Sequence, residues 1–480
     1  MKVAEELQRF YSGEFWKRYT LEEHLRLNYS RLEYIAFILL CTVSTVLSVL
    51  MQPPQGFIGL SLGVWLPDLK FVWLFYLPMA LVISFAILSR RARDELYLER
   101  RSQSKPYKVL FQITTRGLEI DAVVRGVRSV LYWAPKYLKD FEVWVVTEEN
   151  IPPENRSRLL ELSREDPRVR IVFVPRDYTT PRGTAFKARA LCYALELRKR
   201  LGYVRNDVWV YLMDEESVVG EDTVLSIVDF IENEGPRGKM AAQGTIVYPN
   251  FWGLNFFTSM FDSVRPMQDL TLLRVQYRYG RPLFGVHGSH MLLRADMEAS
   301  IGWDFGVVMA EDLVFGLISA RKAGRVWGWL RGKLYEQSPF SIRDFLKQRR
   351  RWVWGLIDAL KHRDIALRDK VLVGLNYFLW MGGLPSAIVT VINAILPTPL
   401  PTLAMIPFLG FLMATWLYLY WEGCKLNIEV LPVNKVIRRM LRFLALALAP
   451  LAGIIESVAV WYGVLTYPKA RRVGYELVKK

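Results

Sequence analysis

Four short apolar runs, at 109–114 (VLFQIT), 142–146 (EVWVV), 169–174 (VRIVFV) and 208–212 (VWVYL), are separated by stretches whose apolar residues recur at helical spacing, at 121–137, 152–165 and 182–201. Runs this short, rich in β-branched and aromatic residues, read as buried strands. Strands alternating with helices point to a parallel sheet covered on both faces. The expected core is a doubly wound, Rossmann-like α/β domain over residues 105–340. No G-x-G-x-x-G follows the first run, which argues against an ordinary dinucleotide fold. A further strand is expected at 241–248, an aromatic-rich helix at 251–276, and a helix opening at Glu311.

Outside that domain the chain is apolar on a longer scale. Residues 32–51, 69–88, 371–396, 401–421 and 443–467 each suit a bilayer crossing, giving two transmembrane helices within 31–93 and two or three within 371–467. The last run contains Pro450, Gly453 and Glu456, so a re-entrant segment stays open, and with it the side on which the basic tail 468–480 lies. Residues 1–30 carry Phe10, Tyr11, Phe15, Trp16 and Tyr19 among charges; they are no signal peptide and read as interfacial helices. The basic end Ser89-Arg-Arg-Ala-Arg93 places the N-terminus and the α/β domain of this expected integral membrane protein on the cytoplasmic side of the cell membrane. The formal charge of +16 calls for anionic partners. Its concentration beside apolar segments favours membrane lipids and a phosphorylated substrate over nucleic acid. Three dispersed cysteines and only four histidines exclude a disulfide framework and a zinc site.

Three motifs carry chemistry. The run at 208–212 leads into Asp214-Glu-Glu216, whose outer carboxylates can point oxygens at one hard divalent cation; an ordinary acidic loop is the alternative. Glu311-Asp312 stands at a helix start, where a carboxylate is held ionised and can serve as a base; a plain capping acid is the alternative. In Gln348-Arg-Arg-Arg351-Trp352, the amide, the guanidinium of Arg351 and the indole share one helix face, within an amphipathic interfacial helix over 341–363. Arg349 and Arg350 point elsewhere, where anionic lipid headgroups would suit them. The alternative is a basic surface helix without a role at the site.

In this order the three motifs resemble family 2 of the inverting glycosyltransferases, with the nucleotide-binding GT-A fold, and the likeness runs from about 107 to 354. Gln348-x-x-Arg351-Trp352 marks the membrane-embedded, cellulose-synthase-like branch. Thr114-Thr-Arg-Gly117, the stretch YTTPRGTAFKARAL at 178–191 and the form DEES look like the egghead family of β-1,4-mannosyltransferases, membrane enzymes that use GDP-mannose. The resemblance implies Asp214 and Glu216 as ligands of Mn²⁺ or Mg²⁺, with Asp214 also at the donor diphosphate. It implies Asp312, beside Glu311, as the base, and Lys187 at the diphosphate. Thr114, Thr115, Arg116 and Gly117 would line the base and ribose pocket, and Glu148 would be a nucleotide contact. Gln348, Arg351 and Trp352 would close over the donor, with Trp352 also at the acceptor. Two departures stand out: Thr147-Glu148-Glu149 where many members carry an Asp pair, and Glu216 where Asp is commoner.

The residues support this chemistry without the likeness. A departing diphosphate needs positive charge, which a metal, Lys187 and Arg351 can share. One carboxylate base and no covalent nucleophile imply inversion, so an α-linked donor gives a β-linked product. His287 and His290, flanking Gly288-Ser289, are expected at the acceptor, with a purely structural role as the alternative. The expected reaction is transfer of mannose from GDP-mannose to a lipid-linked glycan or glycolipid. Two other readings remain: a processive synthase of glucan or mannan using a UDP-sugar, and a non-catalytic scaffold that binds anionic lipid.

Overall fold

The computed structural model describes residues 2–26, 29–50, 76–89, 96–386, 388 and 406–470. An eight-stranded sheet organises it: β1 Lys108–Thr114, β2 Phe141–Glu148, β3 Val169–Val174, β4 Val208–Asp214, β5 Val218–Val219, β6 Ala241–Val247, β7 Met291–Arg294 and β8 Trp327–Tyr335. Its spatial order is β3-β2-β1-β4-β7-β6-β8-β5. The first four strands are parallel, as expected. β1, β2 and β4 are buried on both faces, which accounts for their near-continuous apolar runs, whereas β3 is an edge strand with Arg170 exposed. The other half differs from the expectation. β7 runs antiparallel to both β4 and β6, and β5 antiparallel to β8, so the sheet is mixed.

The chain order reverses at β1, which lies between β2 and β4 and pairs Thr114 with both Val146 and Asp214. A ligand crevice forms at such a switch point, beyond the carboxyl ends of the strands. The helices Ile120–Trp133, Pro153–Glu165 and Phe186–Arg200 connect this half. Fully buried Arg198, near the end of the last, donates to Glu298 Oε1 at 2.6 Å and to Gln112 on β1.

β6 carries a register shift against β8 at Gly244. The shift seats the Gly244 backbone against the imidazole of His290, and an added Cβ would overlap that ring. Gly244→Ala is therefore expected to destabilise the protein by about 1–3 kcal/mol, read as a lower denaturant midpoint.

The N-terminal aromatic residues face inward rather than outward. Phe10, Tyr11, Phe15, Trp16 and Tyr19 are buried, packing toward the sheet domain through Phe251 and Tyr335. Tyr19 stacks on Tyr335 at 4.0 Å between ring centroids and donates to Asn250 Oδ1 at 2.7 Å. Trp133 Nε1 donates to the Trp16 carbonyl, and Leu21 N donates to Glu221. Rings spaced for a membrane surface thus line the inner face of a strap along the sheet.

Of the expected crossings, 32–51 corresponds to the helix Arg31–Leu50, and 401–421 falls largely on Ile406–Ile428. These two pack closely: Tyr34 shares a hydrogen bond with Thr415 at 2.8 Å, and Tyr418 donates to the Ser30 carbonyl. By length and composition, one helix among the described residues, Lys435–Lys469, suffices to cross a membrane, and Leu77–Leu88 is apolar but shorter. Residues 69–75, 389–396 and 471–480 of the expected crossings and tail lie outside the described residues.

Candidate active site

The carboxyl ends of β1 and β4 open into a cavity of about 1910 Å³. Asp214, the last residue of β4, accepts a hydrogen bond from Lys187 Nζ, which also donates to the Gly288 carbonyl at 3.0 Å. Burial alone would favour a neutral amine at Lys187, but Asp214 and Glu311 hold it well above the usual lysine range, so it stays cationic. Thr115 Oγ1 donates to Glu215 at 2.5 Å and accepts from Gly117 N at 2.8 Å. This turn needs the positive φ of Gly117, where a Cβ would press on Ile151 and Thr147. Thr114, Thr115 and Arg116 line the cavity beside Glu148, which is fastened by Arg189 at 2.5 Å. The carbonyls of Tyr178 and Pro175 hold the same guanidinium.

Glu311 and Asp312 form the first turn of the helix Glu311–Lys322, which has no side-chain cap, and both line the cavity. Burial raises the pKa of each; Asp312 adds to that effect at Glu311, and Lys187 opposes it at both. Gly288 sits beside this pair of opposite charges: an added Cβ would stand 3.1 Å from Asp312 Oδ2 and 3.1 Å from Lys187 Nζ. The fourth wall comes from the helix Ile342–Lys361, started by Ser341 capping Asp344 N, and it supplies Gln348, Arg351 and Trp352.

The two histidines part company. His287 lines the cavity with its Nε2 2.8 Å from Asp269 Oδ1; burial works against its charged form, but Asp269 and Asp312 outweigh that and raise its pKa. His290 does not reach the cavity, contrary to the expectation of an acceptor contact. It is fully buried, its Nδ1 paired with Tyr211 Oη at 2.7 Å and its Nε2 with the Gly332 carbonyl at 3.0 Å. The carbonyl requires Nε2 to donate, so Nδ1 accepts from the tyrosine and the ring is neutral. Burial pushes its pKa from 6.5 down to about 4. The unfolded chain therefore binds the extra proton more readily. Stability that His290 contributes above pH 6.5 is expected to fall away as the pH drops toward 4, by about 3 kcal/mol in all. His290→Gln should flatten that part of a stability–pH profile.

Arg349 and Arg350 are corrected as well. Arg349 is buried, donating to Asp262, to Gln348 and, at 3.1 Å, to Glu456. Arg350 is buried too and donates to Tyr462 at 2.6 Å. Neither presents its charge to lipid headgroups. The sequence reading also left out Ser289, Asp269 and Glu336, which line the cavity. Ser289 entered only as a neighbour of the two histidines; the two acids carried no local signal.

Among the described residues no three His, Cys, Asp or Glu side chains converge to hold a metal by themselves. Asp214 and Glu216 nonetheless offer two carboxylates to one cavity. Between them, burial first and the charge of Glu216 second push Glu215 up to about 7. That donor set fits a hard divalent cation that takes one or two oxygens from the protein and the rest from phosphates and water.

Residues 209–420 match the family described as Glycosyl transferase family group 2. The chain is 30% identical over 446 residues to the β-1,4-mannosyltransferase bre-3 of Caenorhabditis elegans, covering 89% of this chain and 92% of the relative. The protein belongs to family 2 of the glycosyltransferases. This glycosyltransferase is also 29% identical over 408 residues to the β-1,4-mannosyltransferase egh of Drosophila melanogaster, covering 83% and 84% of the two chains. Among solved structures, it is similar to a mannosyltransferase from Pyrobaculum calidifontis in complex with GDP-Man and Mn²⁺, with a TM-score of 0.47 at 15% identity, over 82% of this chain and 99% of that one. Its fold is of the GT-A type, and glycosyltransferases take nucleotide-sugar donors and glycan acceptors.

Proposed function

We propose that this glycosyltransferase is an integral membrane enzyme that moves mannose from GDP-mannose to a lipid-linked glycan or glycolipid at the cytoplasmic face, with inversion to a β-linkage. In this reading residues 105–340 are the catalytic domain and 341–363 its link to the membrane region. The observation that carries it is the continuity of the cavity. One end is lined by Asp214, Lys187 and Asp312; the other runs between the helices Leu367–Met381, Ile406–Ile428 and Lys435–Thr466, where Phe378, Trp416 and Ile454 line it. A charged diphosphate suits the first end and a hydrocarbon chain the second.

In the mechanism we propose, Thr114, Thr115 and Arg116 seat the base and ribose, with Glu148 beside them. Asp214 and Glu216 would hold Mn²⁺ or Mg²⁺, whose chemistry is to neutralise the leaving diphosphate. Lys187 and Arg351 add fixed positive charge there. Asp312 accepts the proton of the attacking hydroxyl, with Lys187 keeping its carboxylate ionised. Gln348 and Trp352 close over the sugar, and His287, oriented by Asp269, borders the acceptor. Names of relatives with β-1,4-mannosyltransferase activity support mannose as the sugar.

The test is release of nucleoside diphosphate by detergent-purified protein offered GDP-mannose or UDP-glucose, with Mn²⁺ or Mg²⁺ and a lipid extract. Metal-dependent release from GDP-mannose alone is the expected result. Release from UDP-glucose alone would replace this reading with a glucan synthase.

A further inference from the structure

Glu456 is the single acid of the helix Lys435–Thr466, whose length and apolarity suit a bilayer. A lone carboxylate among such residues is costly unless paired, and where it persists it faces a partner or a cavity. Glu456 does both. It lines the cavity, and its two oxygens accept from two different arginines: Oε1 from Arg265 Nη2 at 2.7 Å and Oε2 from Arg349 Nε at 3.1 Å. Arg349 donates its remaining groups to Asp262 and to the amide oxygen of Gln348. Both guanidinium groups lie over the Trp352 ring, 4.6 Å away for Arg265 and 4.4 Å for Arg349.

We infer that Glu456 is a positioning residue for sugar transfer: from the candidate membrane helix it fixes the two arginines that set the Gln348 amide and the Trp352 indole. This rests on the reading that Gln348 and Trp352 contact the substrates. The charges balance only as a set of four. Without Glu456, two cations share one anion, Asp262, beside a single indole. They repel, and the stacking on Trp352, which strengthens when desolvated, is lost. At the proposed diphosphate site Lys187 donates to Asp214 and to the Gly288 carbonyl, both outside this network.

The test uses the full chain in detergent with GDP-mannose, Mn²⁺ and a lipid extract. Glu456→Gln is expected to lower kcat about 10–100-fold, the effect of slightly misplaced substrate-facing groups. GDP binding, measured by calorimetry, should stay within about twofold, and Glu456→Asp should recover part of the rate. Arg265→Met should show a similar loss. The double variant should be no more than about threefold slower than the worse single one, because both changes act through one unit. Wild-type kcat in either single variant overturns the inference, as does a double variant whose loss is the product of the two. A parallel fall in GDP affinity overturns it too, because that marks general loosening. If Glu456→Gln does not yield folded protein, Arg265→Met, which leaves the membrane helix untouched, decides alone. If the wild-type protein does not turn over GDP-mannose, the donor reading has failed, and the same comparison is made with the donor it does consume.

Discussion

Asp312→Asn is expected to lower the rate of sugar transfer by about 10²–10⁴-fold, the usual worth of a positioned base. The change keeps size and hydrogen-bonding reach and removes only the capacity to take a proton. It also takes one negative charge from the surroundings of Lys187, whose other acidic neighbours, Asp214 and Glu311, remain. GDP binding should therefore change little, and the loss should appear in kcat. Burial raises the pKa of Asp312, so the wild-type rate should fall as acid protonates it, and fall at higher pH than an exposed aspartate would dictate. A variant that keeps the full rate would remove Asp312 from the mechanism and direct attention to Glu311.

Arg198→Met is expected to cost about 3–5 kcal/mol of folding stability, because it leaves Glu298 charged and buried with its cationic partner gone. Neither side chain of the pair is exposed at all. Trp303 Nε1 would still donate to Glu298 at 2.8 Å, but a neutral donor does not replace the guanidinium. Gln112, in the middle of β1, would lose its partner too. Replacing both members, as Arg198→Met with Glu298→Leu, should recover much of the loss, since no charge is then stranded. Denaturant midpoints of the three variants would measure this. The pair fixes the far end of the helix whose first turn carries Lys187, so the single variant should also lower activity through that helix.

The parallel half of the sheet was legible because short apolar runs rich in β-branched residues leave a local mark: 109–114, 142–146, 169–174 and 208–212 became β1 to β4 with end shifts of a few residues. β8 left no such mark. Its sequence WGWLRGKLY carries two glycines, an arginine and a lysine, yet Lys333 is buried beside Asp222 and His24. Only distant residues make that strand possible. β7 begins directly after His290 and is only four residues long, and no pattern in four residues tells antiparallel from parallel pairing. The site's acids were readable from spacing and strand ends. The surroundings that tune them were not: Asp269 lies 18 positions before His287, and Glu456 lies 107 after Arg349. The same limit applies to the N-terminal rings, since a stripe of aromatic residues looks alike whether it meets lipid or the chain's own sheet.

That strap has a consequence for synthesis on the ribosome. Tyr19 must find Asn250, 231 positions later, and then Tyr335. The thermodynamic penalty of so long a closure is modest, because it grows only with the logarithm of loop length. Its timing is not. The rings of Tyr11 and Phe15 wait for Phe251, and that of Tyr19 waits for Asn250 and then for β8. Over that interval they are open to wrong associations, the hazard of any contact completed late. This stretch, made well before the sheet, is thus among the last to become native, and it docks on a sheet assembled entirely after it.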